Sequence, residues 1–294
     1  MEIFRKMSFA DSTGDAIPFY HEGKYHIFSL TSPPGTTVYP ERLRTTWSHS
    51  ISDDLVHWQE LPTALYPGEG DEPDASGVWT GSVIYGEGQY HAFYTGYCLT
   101  AEFQQTICHA TSDDGITWTK DIANPVITPM TELYEKLDWR DPYVFYNEED
   151  ENYWILISAR RLDMPVTRRG CIVLYRSKNL KDWTYYGPIY SPGHTNCPEC
   201  PEMYKMGGHW YLSYSRFSEF VNTIYRVSES PFGPWRKPKK DGIGGRRFYA
   251  AKSMQNDDGR RFYFGWAHDR AEQSDKGEWY WGLSLIHISE PTRL

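Results

Sequence analysis

Ser52-Asp53-Asp54-Leu55-Val56-His57-Trp58 is one of four versions of the same short text. The others are Ser112-Asp113-Asp114-Gly115-Ile116-Thr117-Trp118, Ser177-Lys178-Asn179-Leu180-Lys181-Asp182-Trp183 and Ser228-Glu229-Ser230-Pro231-Phe232-Gly233-Pro234-Trp235. Each follows an alternating apolar run such as Cys171-Ile172-Val173-Leu174-Tyr175. Each therefore reads as a third strand, a polar turn and a short fourth strand carrying Trp. Outward from these turns lies a second set: Lys24-Tyr25-His26-Ile27-Phe28, Gln89-Tyr90-His91-Ala92-Phe93, Asn152-Tyr153-Trp154-Ile155-Leu156, His209-Trp210-Tyr211-Leu212-Ser213 and Arg261-Phe262-Tyr263-Phe264-Gly265. Their leading aromatics, from Tyr25 to Phe262, are spaced 65, 63, 57 and 52 residues apart. Four strands per unit at a near-constant period predict an all-β, five-bladed β-propeller. A sandwich of hairpins is the alternative, but it does not require the Ser…Trp turn to recur in step. Helix is nearly absent; residues 130–137 can hold one turn.

The chain has 294 residues, 16% of them aromatic, and a formal charge of −9 from 30 Lys and Arg against 39 Asp and Glu. That balance argues against nucleic acid or an anionic membrane as a main partner and suits a small neutral ligand. Five cysteines in a chain this long do not make a disulfide framework. Cys197 and Cys200 form a C-x-x-C without the second pair or histidines that structural zinc needs, so they read as small buried residues. A calcium ion is the competing use of clustered acids, but no metal or cofactor is expected. No apolar run approaches a membrane span, and Met1-Glu2-Ile3-Phe4-Arg5-Lys6 carries no signal-peptide core, so a cytoplasmic location is expected.

Three acids occupy the same phase of the repeat, each near the start of a predicted first strand. Asp15 is ten residues before Tyr25, Asp141 twelve before Tyr153, and Glu199 eleven before Trp210. First strands line the channel of a propeller, so the three carboxylates are expected at one end of it, near Trp79, Thr80 and Tyr249. Converging carboxylates in an aromatic cleft suit glycoside cleavage, with one acid protonated and another ionised. Repulsion between them drives their pKa values apart. Trp47, Trp79 and Tyr249 are candidate stacking faces for a sugar.

Trp47-Ser48-His49-Ser50-Ile51-Ser52-Asp53-Asp54, Trp79-Thr80-Gly81-Ser82, Trp139-Arg140-Asp141-Pro142, Glu199-Cys200-Pro201 and Phe248-Tyr249-Ala250 together resemble the invertase and fructanase family, family 32 of the glycoside hydrolases. The resemblance covers about residues 10 to 282. It implies a five-bladed propeller, usually followed by a C-terminal β-sandwich that is absent here. It implies retaining hydrolysis of fructofuranosides of sucrose or fructan type without a cofactor. Asp15 would be nucleophile, Asp141 transition-state stabiliser and Glu199 general acid/base; Arg140 would help bind the sugar, and Trp47, Trp79, Thr80, Ser82 and Tyr249 join it as expected substrate-binding residues. The first motif departs from the family's Asn-Asp-Pro-Asn-Gly: it is Gly14-Asp15-Ala16-Ile17-Pro18. The related arabinanase and xylosidase family 43, which inverts configuration, is the alternative, as is a carbohydrate-binding propeller without chemistry. A phosphorylase would need a basic anion pocket, for which Arg160, Arg161, Arg168 and Arg169 are candidates.

Leu283-Ser284-Leu285-Ile286-His287-Ile288-Ser289-Glu290-Pro291-Thr292-Arg293 resembles the read-through translation of a sequencing-library adapter. Residues 1–282 are accordingly read as the propeller with its last blade cut short, and 283–294 as a non-native tail. Residues 2–13 are a candidate closing strand.

Overall fold

Alternating apolar strands joined by tight polar turns give five four-stranded antiparallel sheets in the computed structural model, which describes residues 4–5, 7–218, 220–245, 248–270 and 279–288. Blade one comprises β2 (Thr13–His21), β3 (Lys24–Thr31), β4 (Thr46–Ser52) and β5 (Trp58–Leu65). Blade two comprises β6 (Gly77–Gly86), β7 (Gln89–Tyr97), β8 (Gln105–Ser112) and β9 (Thr119–Lys120). Blade three comprises β10 (Arg140–Asn147), β11 (Asn152–Arg160), β12 (Gly170–Ser177) and β13 (Thr184–Tyr190). Blade four comprises β14 (Glu199–Met206), β15 (His209–Arg216), β16 (Asn222–Ser228) and β17 (Gly242–Ile243). Blade five takes β18 (Phe248–Gln255), β19 (Arg261–Arg270) and β20 (Trp279–Ile288) from one end of the sequence and β1 (Phe4–Arg5) from the other.

The expected closing strand is β1, which pairs Phe4 with Ser284 and Arg5 with Leu283. Blade five, expected to be cut short near Gly282, has four strands, because β20 runs on through Ile288 and β1 adds the outermost one. Residues 289–294 of the expected tail lie outside the described residues. The stretch 130–137 makes a single turn, with the Leu133 and Tyr134 amides bonded to Met130 O. Short 3-10 turns occur at Glu41–Leu43 and Val166–Arg168.

The core is five seams between neighbouring blades. Ile17, Phe28 and Trp47 of blade one meet Val78, Val83 and Tyr94 of blade two. Phe93 and Ile107 meet Trp139, Val144 and Ile155; Leu156 and Ile172 meet Met203 and Leu212. Tyr211 and Val227 meet Ala251 and Tyr263, and Ala16 and Ile27 close the ring against Phe264 and Trp266. Burial of side chains this large stabilises by roughly 1.5–3 kcal/mol each.

The seams explain why the two sequence patterns run in step. Three of the four turn tryptophans pack edge-on against a second-strand Phe of the preceding blade: Trp118 on Phe28 at 5.8 Å, Trp183 on Phe93 at 5.3 Å, Trp58 on Phe264 at 6.3 Å. Trp235 packs on the cluster of Leu156 and Leu212 instead. The turns are shaped by side-chain acceptors. Asp54 Oδ1 takes the amides of Val56 and His57 at 2.8 and 2.7 Å, and Asp114 Oδ1 takes those of Ile116 and Thr117 at the same distances. Asn179 Oδ1 repeats this with Lys181 and Asp182 at 3.0 and 2.9 Å. Such local acceptors make Ser, Asp and Asn the residues of choice in turns.

Candidate active site

Every innermost strand breaks register with its neighbour at the same height. The breaks fall between Gly14 and Ala16, Val78 and Gly81, Arg140 and Tyr143, Glu199 and Glu202, and Tyr249 and Lys252. Each gives the inner strand one extra residue, a β-bulge that re-aims side chains. Asp15, Trp79 with Thr80, Asp141, Cys200 and Ala250 therefore sit on bulges around one end of the channel. Asp141, Cys200 and Ala250 adopt φ of 60°, 48° and 49°. Non-glycine residues there carry strain that tends to gather at functional sites.

The register corrects one expectation. Glu199 is not in step with Asp15 and Asp141; it stands level with Arg140 and Tyr249, just before the bulge, and Cys200 occupies the position of Asp141. Spacing from the second strand absorbs variable turn lengths and so misses a shift of one residue. The outcome is two interlocked tiers from successive blades. In one tier Arg140 Nη2 donates to Glu199 Oε1 at 2.7 Å and the Tyr249 hydroxyl donates to Glu199 Oε2. In the other, the Cys200 amide donates to Asp141 Oδ2 at 2.8 Å, and Cys200 Sγ lies 3.8 Å from Asp15 Oδ2. Thr95 Oγ1 takes the Asp141 amide at 2.8 Å, anchoring that bulge to blade two.

All three acids line one cavity of about 220 Å³, together with Trp79, Thr80, Arg140 and Tyr249. Burial pushes the Glu199 carboxyl up to about 7, with Asp141 adding to the rise and Arg140 opposing it. Burial also raises Asp15, to about 6, with Asp141 adding to the rise and Lys252 and Trp266 opposing it. Two carboxyls in one pocket are thus both held above the ordinary carboxylate range by burial and by the charge of Asp141, as an acid that must keep its proton near neutral pH requires.

Trp79 is half-buried at the rim, stacked on Tyr97 at 4.1 Å, with its indole N–H on Leu43 O. Two expected binding residues lie elsewhere. Trp47 is fully buried beneath Trp79, donating to Trp79 O at 2.9 Å, so it offers no face to a sugar. Ser82 is 5% exposed and stitches two blades, donating to Pro142 O at 3.0 Å and accepting from the Val144 amide at 2.8 Å.

Arg42, Leu43, Thr45 and Trp266 line the pocket unannounced by sequence. Trp266 could have been found by counting across the hairpin, since it is the register partner of Tyr249. The first three come from the irregular connection between β3 and β4, which has no periodic signal.

The arginines considered for an anion pocket are mostly spoken for. Arg160 pairs with Glu135 at 2.7 Å and Asp138 at 3.3 Å, Arg161 with Asp163 at 2.6 Å and Arg169 with Glu135 at 2.6 Å. Arg168 is exposed. Asp138 also holds Arg140, so the cluster braces the pocket of the three acids. Among the described residues, no group of three or more His, Cys, Asp or Glu is arranged to hold a metal ion, and no helix is long and apolar enough to cross a membrane.

The family model described as the N-terminal domain of glycosyl hydrolases family 32 matches residues 16–287, beginning one residue after Asp15. A sucrose-6-phosphate hydrolase of Zymomonas mobilis is 27% identical over 271 residues, covering 84% of this chain and 51% of the relative. A raffinose invertase of Escherichia coli is 30% identical over 272 residues, covering 84% and 52%. The chain thus spans about half the length of these curated relatives. Among solved structures, sucrose-6-phosphate hydrolase from Lactobacillus gasseri aligns with TM-score 0.77 at 23% identity, over 96% of this chain and 60% of that one. Fructan 1-exohydrolase IIa from Cichorium intybus aligns with TM-score 0.76 at 23% identity, over 97% and 59%. At such identity the likeness speaks for the fold.

Proposed function

The chain belongs to glycosyl hydrolases family 32, and on that footing we propose that it is the propeller of an enzyme that hydrolyses β-fructofuranosides of sucrose or fructan type with retention of configuration. The observation that carries this reading is the shared pocket of Asp15, Asp141 and Glu199, with Glu199 held up to about 7 and Asp15 at about 6.

In the first step Glu199 gives its proton to the glycosidic oxygen as the bond from that oxygen to the anomeric carbon breaks. The Asp15 carboxylate attacks the same carbon, forming a fructosyl ester. Water then enters, Glu199 takes its proton, and the new hydroxide displaces Asp15. Arg140 and the Tyr249 hydroxyl, bonded to the two Glu199 oxygens, hold the acid in position. Asp141, fixed by the Cys200 amide, presents negative charge to the oxocarbenium-like transition state. Trp79 supplies the stacking face. The names of the relatives, a sucrose-6-phosphate hydrolase and a raffinose invertase, support a fructofuranoside as the sugar cleaved.

The test is the anomer first released. Following sucrose or 1-kestose hydrolysis by NMR before mutarotation, the initial product is expected to be β-fructofuranose. Release of the α-anomer would assign single-displacement inversion. Binding without turnover on fructosides, arabinosides and xylosides would instead make the chain a lectin-like propeller.

A further inference from the structure

Farther along the channel from the catalytic pocket lies a second cavity of about 180 Å³, lined by the innermost strands of blades one, two, three and five and by Arg261 of β19. Two cations line it, Lys252 and Arg261, at 1% and 7% exposure. Lys252 Nζ donates to Gly81 O, and this is its single acceptor among the described residues. An ammonium has three donors, so two are left over. Among the described residues no carboxylate lies within ion-pair distance of Lys252; Asp15 stands farther off in the pocket above.

Arg261 uses Nη1 on Ser253 Oγ at 2.7 Å and Nη2 on Gln255 Oε1 at 2.9 Å, while its Nε is buried without a partner. Its counter-charge is Glu202, 3.8 Å away and fully buried behind the cavity wall. Glu202 is itself saturated by the Ser253 amide, Ser253 Oγ and Ser213 Oγ at 3.0, 2.6 and 3.3 Å. The cavity therefore faces two cations: Arg261 is paired with Glu202, and Lys252, whose charge is felt by Asp15 in the pocket above, keeps two N–H donors without an acceptor among the described residues. A buried unpaired charge is costly and is normally met by a counter-ion or bound water.

We propose that this cavity is a binding site for a small monovalent anion of the chloride class, held between Lys252 and Arg261. The unfilled Lys252 donors and the Arg261 Nε–H suit one small anion.

Crystals grown free of halide and soaked in sodium bromide read the site directly. Anomalous diffraction at the bromine edge is expected to place bromide between Lys252 Nζ and Arg261 Nε, and to lose that peak in Lys252→Met. In solution the thermal midpoint of the wild-type protein is expected to rise saturably in sodium chloride relative to sodium gluconate at equal ionic strength. A soaked channel holding only water overturns the proposal. So does a bromide peak with no chloride effect in solution, which marks an adventitious ion only. Both wild-type measurements stand even if Lys252→Met fails to fold, and neither uses turnover, so the result is separate from the proposed hydrolysis.

Discussion

Glu199 has two hydrogen-bond donors, one per oxygen, and both come from neighbouring blades. Glu199→Gln keeps the shape and loses the proton, so kcat is expected to fall by roughly 10²–10⁴ with KM little changed. Asp15 is ionised above about 6 and Glu199 protonated below about 7. The rate is therefore expected to peak between those values, with the acidic limb set by Asp15 and the basic limb by Glu199. Lys252 favours the ionised form of Asp15. Lys252→Met is thus expected to move the acidic limb to higher pH while leaving the basic limb in place. The three acids were legible because each stands near the predicted start of a strand that a propeller must turn inward. Trp47 and Ser82 were misread because their exposure depends on what the next blade lays over them: Trp79 covers one, and β10 docks on the other. Lys252 gave no sign in the sequence, since nothing local distinguishes a buried lysine from a solvated one.

The bulge is the element that makes the site, and it explains why strand phase was readable to within one residue and no better. Alternation locates a strand and its face; only the pairing partner reveals the inserted residue. Gly81 closes one such break, where an added Cβ would stand 2.0 Å from Phe93 O. Gly81→Ala is therefore expected to destabilise the protein by about 1–3 kcal/mol, measured by denaturant unfolding. A second element-level feature is a matched pair of histidine stacks. His26 Nδ1 meets His49 Nε2 at 3.0 Å in blade one, and His91 Nδ1 meets His109 Nε2 at 2.9 Å in blade two. Burial lowers His26 and His91 to about 4 and His49 to about 3, from an ordinary 6.5. The unfolded chain accepts these protons first. Stability is therefore expected to be unaffected by these groups above about 6.5 and to fall steadily as pH drops from there toward 3. Thermal midpoints measured across that range check it, with His49→Gln flattening the decline.

At the scale of the whole molecule, the ring is held by five apolar seams and one short strand exchange. Deleting residues 1–5 leaves the outer edge of β20 unpaired. The thermal midpoint is expected to drop, with the five blades, the last now three-stranded, keeping their strand content by circular dichroism. The number of blades was legible in the repeat of Tyr25, Tyr90, Tyr153, Trp210 and Phe262. How the seams knit was not, because each joins residues from different repeats. The exchange also has a consequence for the order of events at the ribosome. Phe4 is made about 280 residues ahead of its partner Ser284. Asp15 of the first blade likewise waits for Tyr249 and Trp266 of the fifth before its pocket has a far wall. A nascent chain must therefore carry an open arc of blades, with this pocket lacking a wall, until the fifth blade has left the exit tunnel.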